Sequence, residues 1–356
     1  MDVVDTRSPK RTLLFDDGTL YMPENGESMC QYFLYPSRSH TEIKRIHYHF
    51  SHCQDDSMGN QLSEYFGALV LANAAQVPFT MTCDPYPLED TVIFRLIGES
   101  IYRPSVDIHG NTWSPLDLCL ACETLPAGCN DEFKFLFSET IRRTMWSLES
   151  NDPSVEIHDA VIHLRLGDAL ASTESEIQES RGVIPHEMYS DAIKQASLEK
   201  GEIKSIVVLV QSPNKSGSEL IDHRSRIVSN DFLEYLQGEF PLVTIQIILD
   251  GVESSRKTYQ RLIQANKVAI CGVSSFCTHP VLSNHNGLAF VYQGHKAKVS
   301  DWVSTLVEFN ANLRVWDVPL LESNVIENIS DDELLHWLRT RNSKVISSPA
   351  SFQVVQ

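Results

Sequence analysis

Residues 155–170 read Val-Glu-Ile-His-Asp-Ala-Val-Ile-His-Leu-Arg-Leu-Gly-Asp-Ala-Leu, and the class of the fold follows from how this run is built. Val161, Ile162 and Leu164 form a short β-rich run with His163 inside it, and Arg165, Gly167 and Asp168 follow where a strand ends and its loop begins. Ligands of open α/β sheets bind outside the carboxyl ends of the strands. Arg165 places there a charge that cannot be titrated away, on a planar fork of donors matched to phosphate oxygens. Two readings stand on this stretch alone: Arg165 as a phosphate-binding group, or Arg165 and Asp168 as an i, i+3 structural ion pair.

Working outward, the second half of the chain alternates strand and helix. The pattern predicts strands over 159–165, 203–210, 242–249, 268–271 and 288–292, with helices over 185–198, 229–238, 254–265 and 276–284 between them. Alternation at this spacing implies parallel βαβ units. The first half carries one clear unit. Ile46, Tyr48 and Phe50 alternate with His47 and His49 as in a strand, a turn follows, and Gly59-Asn60-Gln61 opens a helix over 59–75 whose stripe is Leu62, Tyr65, Phe66, Leu69 and Val70. Residues 78–130 give no period, and 131–149 is helical by pattern. The organisation predicted is an irregular arm over 1–42, a Rossmann-like domain over 43–152, a second over 153–310, and an extension over 311–356 with a late helix at 331–340.

A second candidate site lies in Cys271-Gly-Val-Ser-Ser-Phe-Cys277, after one strand and before a helix. Ser274 and Ser275 there can cap the helix or offer hydroxyls and amides to a phosphate. The formal charge of −18 excludes a broad surface for nucleic acid, and no apolar run is long enough to span a bilayer. Residues 1–25 lack the apolar core of a secretory signal, so the chain taken as complete reads as cytoplasmic. Eight cysteines leave disulfides and reduced buried thiols equally open, since Cys119, Cys122 and Cys129 lack a fourth ligand at zinc spacing. His47 and His49 share a strand face without a third ligand, and Asp55-Asp56 and Asp331-Asp332 are adjacent pairs rather than the Asp-x-Asp that holds a metal-bound diphosphate, so no metal is expected.

Three pieces in this order, Gly59-Asn60-Gln61, His163-x-Arg165-x-Gly167-Asp168 and Ser274-Ser275-Phe276, resemble the fucosyltransferase superfamily of α1,2-, α1,6- and protein O-fucosyltransferases over about residues 43–295. The resemblance implies the GT-B architecture, two Rossmann-like domains facing a donor cleft. It implies GDP-fucose as donor without a metal or other cofactor, a glycan or glycoprotein as acceptor, and the Golgi or ER lumen as location. Arg165 would grip the diphosphate, with His163 and Asp168 orienting the motif; Gly59, Asn60 and Gln61 would reach the donor from the first domain, and Ser274, Ser275 and Phe276 from the second. Leu166 stands where many members carry a second arginine, which leaves the subgroup, acceptor and sugar open. Glu174 and Glu176 are the carboxylates at the distance where some members have a base. Another nucleotide sugar, or binding without turnover, are the alternatives.

Overall fold

The computed structural model describes residues 13–14, 19–21, 45–49, 59, 62, 65, 66, 69, 79–82, 138, 139, 141, 142, 145, 155–170, 182–210, 218–249, 255–294, 303, 306, 307, 310–318 and 320–340. The chain divides into two compact units, Met1–Thr144 and Met145–Gln356. Among the described residues, no helix is long and apolar enough to cross a membrane.

The first unit holds a four-stranded sheet, β1 (Leu13–Leu14), β2 (Thr19–Tyr21), β3 (Arg45–His49) and β4 (Phe79–Thr82), in that spatial order. The β1–β2 pair is antiparallel, whereas β3 runs parallel to both β2 and β4. Leu62, Tyr65 and Phe66 are helical and fully buried, as their spacing predicts. The arm over 1–42 is therefore not wholly irregular, because β1 and β2 extend the sheet, and β4 lies in the stretch without a period. Strands of two to four residues are too short to establish alternation.

The second unit is an α/β layer around six parallel strands: β5 (Ala160–Leu164), β7 (Ser205–Val210), β8 (Thr244–Leu249), β9 (Val268–Cys271), β10 (Leu288–Gly294) and β11 (Leu313–Val318). Their spatial order is β11-β10-β9-β5-β7-β8. From β5 the chain steps outward to β7 through α1 (His186–Lys200) and to β8 through α2 (Glu219–Glu239). Then α3 (Ser255–Gln264) carries it back across β5 to β9, and α4 (Ser275–Leu282) leads on to β10. In chain order this is the 3-2-1-4-5-6 arrangement of doubly wound nucleotide-binding sheets, and its reversal falls between β5 and β9.

Burial explains why β5 and β9 are uninterrupted apolar runs apart from His163. All five residues of β5 and all four of β9 are buried, because helices cover both faces of a parallel sheet. Met188, Ala192, Ile193 and Ala196 of α1 and Val228, Phe232 and Leu236 of α2 pack into the same core. Each fully buried Val, Leu, Ile, Phe or Met side chain there contributes about 1.5–3 kcal/mol. Gly201 ends α1 at φ 90°, a conformation that a side chain disfavours.

Two sequence expectations are corrected. The helix expected over 229–238 begins ten residues earlier, at Glu219, so Ser229 sits mid-helix and donates to the Ser225 carbonyl at 2.6 Å. The buried stripe of α2 contains Arg224, Ser225 and Asp231 among its apolar residues, so the period is disguised. The sheet also runs past residue 310. Strand β11 pairs along β10 from Leu313 to Val318, and residues 320–340 return to the core through β12 (Leu321–Glu322), α5 (Ser323–Ile326) and α6 (Asp331–Arg339). Strand β12 pairs antiparallel with β6 (Gly182–Val183), and Ile326, Leu334 and Leu338 are buried. Buried Arg224 fixes this segment by donating to the carbonyls of Ile326 (2.6 Å) and Ile329 (2.7 Å) and to Asp331 (3.1 Å).

Asn284 closes the far end of the α3–α4 pair. Its amide donates to the carbonyls of Leu262, Ile263 and Ala265, and its oxygen accepts from Gly287 N at 2.8 Å. Replacing it leaves buried backbone groups without partners. Asn284→Ala should therefore cost about 2–4 kcal/mol in denaturant unfolding; a loss below about 0.5 kcal/mol would show that these bonds do not hold the turn.

Candidate functional site

The two stretches singled out in the sequence meet at the reversal of strand order. Arg165 follows the last residue of β5 and Gly272 the last of β9, and the two strands are in direct register, His163 opposite Cys271. Gly272 N donates to His163 O at 3.3 Å, and Arg165 Nη1 donates to Val273 O at 3.2 Å, so the loops after the two strands are tied to each other. A Cβ on Gly272 would stand 2.8 Å from the hydroxyl of buried Tyr189, closer than real side chains approach, so a side chain here would force its neighbours to shift. Gly167 follows with φ 65° and opens a short turn over Gly167–Ala169, its amide donating to Ser225 Oγ of α2 at 3.4 Å. The chain thus leaves β5 sharply, and half-buried Arg165 stays at the sheet edge.

On the β9 side, Ser274 caps α4: its Oγ accepts from Phe276 N at 3.3 Å, and its carbonyl accepts from Thr278 Oγ1 at 2.8 Å. The capping role is the one visible for this hydroxyl. Ser275 is the first helical residue and is half-buried, as is Phe276. The Phe276 ring lies 5.1 Å from the His163 ring and 4.8 Å from Tyr259, so His163 and Phe276 pack on each other across the strand gap. Cys271 and Cys277 form a disulfide that spans the loop from the end of β9 into α4. For this pair the choice between thiols and a disulfide is decided; the other six cysteines lie outside the described residues.

Of the remaining expected residues, Gly59 is buried at a helical position of the first unit, whereas Asn60 and Gln61 lie outside the described residues. Asp168 is in the turn after β5, but its side chain also lies outside them, as do Glu174 and Glu176. Asp331 is engaged by Arg224 (3.1 Å) and His223 (3.0 Å).

Sequence reading missed a buried polar chain beside Arg165. His186, the first residue of α1, is fully buried, and its Nε2 lies 3.0 Å from Asp231 Oδ2. The other oxygen of Asp231 accepts from Arg339 Nε at 2.7 Å, and Arg339 also reaches Glu234 at 3.2 Å. The imidazole packs at a tilt against the rings of Phe232 (4.9 Å) and Tyr235 (5.5 Å). Burial pushes the His186 pKa down, against the pull of Asp231. Burial works against the Asp231 carboxylate too, but the hydrogen bonds from His186 and Arg339 outweigh it and hold that carboxyl below its usual range. His186 and Arg165 line one small cavity with Tyr189, Val228, Val273 and Leu338, with room for about one water molecule. No local motif marks these groups, because they are brought together from α1, α2 and α6.

Two fully buried histidines give stability a pH dependence. Burial lowers His186 from its ordinary 6.5, and lowers His279 from 6.5 to about 3. Below pH 6.5 the unfolded chain takes up protons on both imidazoles while the folded chain does not, so stability rises with pH and is lost on acidification. Each group contributes a slope of up to about 1.4 kcal/mol per pH unit below that value. Unfolding free energy measured by denaturant should fall steadily from pH 6.5 to 5; a flat profile would contradict the neutral, buried state of these rings. Comparison with protein-family models, curated proteins and solved structures found no match for this chain.

Proposed function

We propose that this chain is an inverting, metal-independent glycosyltransferase that transfers fucose from GDP-fucose to a glycan or glycoprotein acceptor. The observation that carries the reading is the position of Arg165 and the start of α4 on either side of the strand-order reversal, where doubly wound sheets bind nucleotides. Breaking the glycosidic bond of a nucleotide sugar leaves negative charge on the diphosphate, and donors fixed before the reaction stabilise that charge most. Arg165 is such a donor, its orientation fixed by Val273 O. The first turn of α4 adds the partial positive charge of a helix N-terminus.

Other features support the wider reading. The parallel pairing of β3 with β4 across intervening helical residues is a βαβ-like unit in the first half, as a GT-B architecture requires. The Cys271–Cys277 disulfide favours an oxidising compartment such as the secretory lumen. In this mechanism the acceptor hydroxyl oxygen attacks the anomeric carbon and gives up its proton to solvent, the carbon–oxygen bond to the diphosphate breaks, and the electron pair passes to the phosphate oxygen facing Arg165.

The test is calorimetric titration of GDP, GDP-fucose, GDP-mannose and UDP without added metal, followed by donor turnover. GDP and GDP-fucose should bind selectively. Arg165→Ala should weaken them by about 100-fold, the effect of losing charge-assisted hydrogen bonds, with little change in unfolding. Failure of every nucleotide to bind the folded protein would overturn the proposal, and binding without any donor turnover would overturn its catalytic part.

A further inference from the structure

We infer that the cavity beside Arg165 is a built water site, and that His186 is a positioning residue which fixes the Arg165 guanidinium through that water and so sets donor affinity. The inference rests on the donor-site reading above and adds to it the residues that hold the arginine in place.

The geometry starts from the direction of the chain. A helix that follows a strand in a βαβ unit begins at the carboxyl edge of the sheet, so the first residue of α1 returns to the edge where Arg165 leaves β5. His186 and Arg165 line the same cavity there. Asp231, a carboxylate held by Arg339, can only accept from Nε2, which puts the ring proton on Nε2 and leaves Nδ1 as an acceptor. Nδ1 is buried and, among the described residues, has no hydrogen-bond partner. A buried acceptor in that state is costly, and a cavity with room for one water next to a guanidinium offers the remedy. The water accepts from Arg165 and donates to His186 Nδ1, and Tyr189 lines the same space.

The charged and titratable groups around the imidazole are Asp231 and Tyr235 of α2, Arg339 of α6, Tyr189 of α1 and Arg165. Asp231 and Arg339 offset one another. The chain Arg165–water–His186–Asp231–Arg339 ties the donor grip to the C-terminal helix α6, whose Leu338 is also a cavity wall.

Two substitutions separate the two nitrogens of His186. His186→Gln retains an amide able to donate to Asp231 but has no acceptor at the Nδ1 position, whereas His186→Asn places a carbonyl oxygen near the Nδ1 position and gives up Asp231. With GDP as the calorimetric probe, His186→Gln should raise Kd about tenfold, and His186→Asn should recover part of that loss despite lower thermal stability. In turnover, the donor KM should rise with kcat little changed. In an Arg165→Lys background the His186→Gln effect should shrink toward none, which a merely structural role would not produce. Equal GDP affinity in wild type and both variants, or a crystal structure in which this cavity is dry, would overturn the inference. Absence of GDP binding by the wild-type chain would instead overturn the donor-site reading on which it rests.

Discussion

The reversal of strand order between β5 and β9 constrains everything else in the second unit. Both strands must be apolar on both faces because helices cover the sheet, yet the chain leaves β5 in one direction and β9 in the other. The carboxyl ends of these neighbours therefore stand side by side with no crossover between them. Two hydrogen bonds hold them, one between backbone groups, Gly272 N to His163 O, and one from the Arg165 side chain to Val273 O. The glycines belong to the same constraint: Gly272 admits the close approach of Tyr189, and Gly167 turns the chain away at positive φ. A charged side chain at this point is placed by the fold rather than by its own loop.

The C-terminal residues are structural walls of this region. Strand β12 pairs with β6, Arg224 binds the carbonyls of Ile326 and Ile329, and Arg339 reaches Asp231. Burying His186 and Asp231 is costly unless each has a partner, and the partner of Asp231 comes from α6. The segment 320–340 thereby completes a polar chain that begins beside Arg165. Hydrophobic burial alone would leave the position of α6 less specific.

The α/β class and the strands at β5, β7, β9 and β10 were legible because buried parallel strands are long apolar runs with helical periods between them. Arg165 and Ser274 were legible as candidates because both follow such strands. The start of α2 was not, since its buried face mixes Arg224, Ser225 and Asp231 with Ile221, Val228 and Phe232, and polar residues on a core face erase the period. Strand β11 was missed because Leu313-Arg-Val-Trp-Asp-Val318, at the edge of the sheet, is interrupted by Arg314 and Asp317 and lacks the continuous apolar run of the central strands. His186 and Asp231 are 45 residues apart, and Arg339 is a further 108 beyond Asp231; no spacing rule joins residues that meet only when three helices pack. Burial of His186 likewise depends on Phe232 and Tyr235, which reach it from another helix.

The central claim is that a nucleotide diphosphate sits at the β5–β9 reversal. Amide hydrogen exchange with and without saturating GDP tests it most directly, because it reports the place of binding as well as the fact. The account predicts slowed exchange in the turn over 166–170 and in the loop and first turn over 273–277, with the outer strand β8 unchanged. Protection confined to other strand ends, with these two segments unaltered, would contradict it.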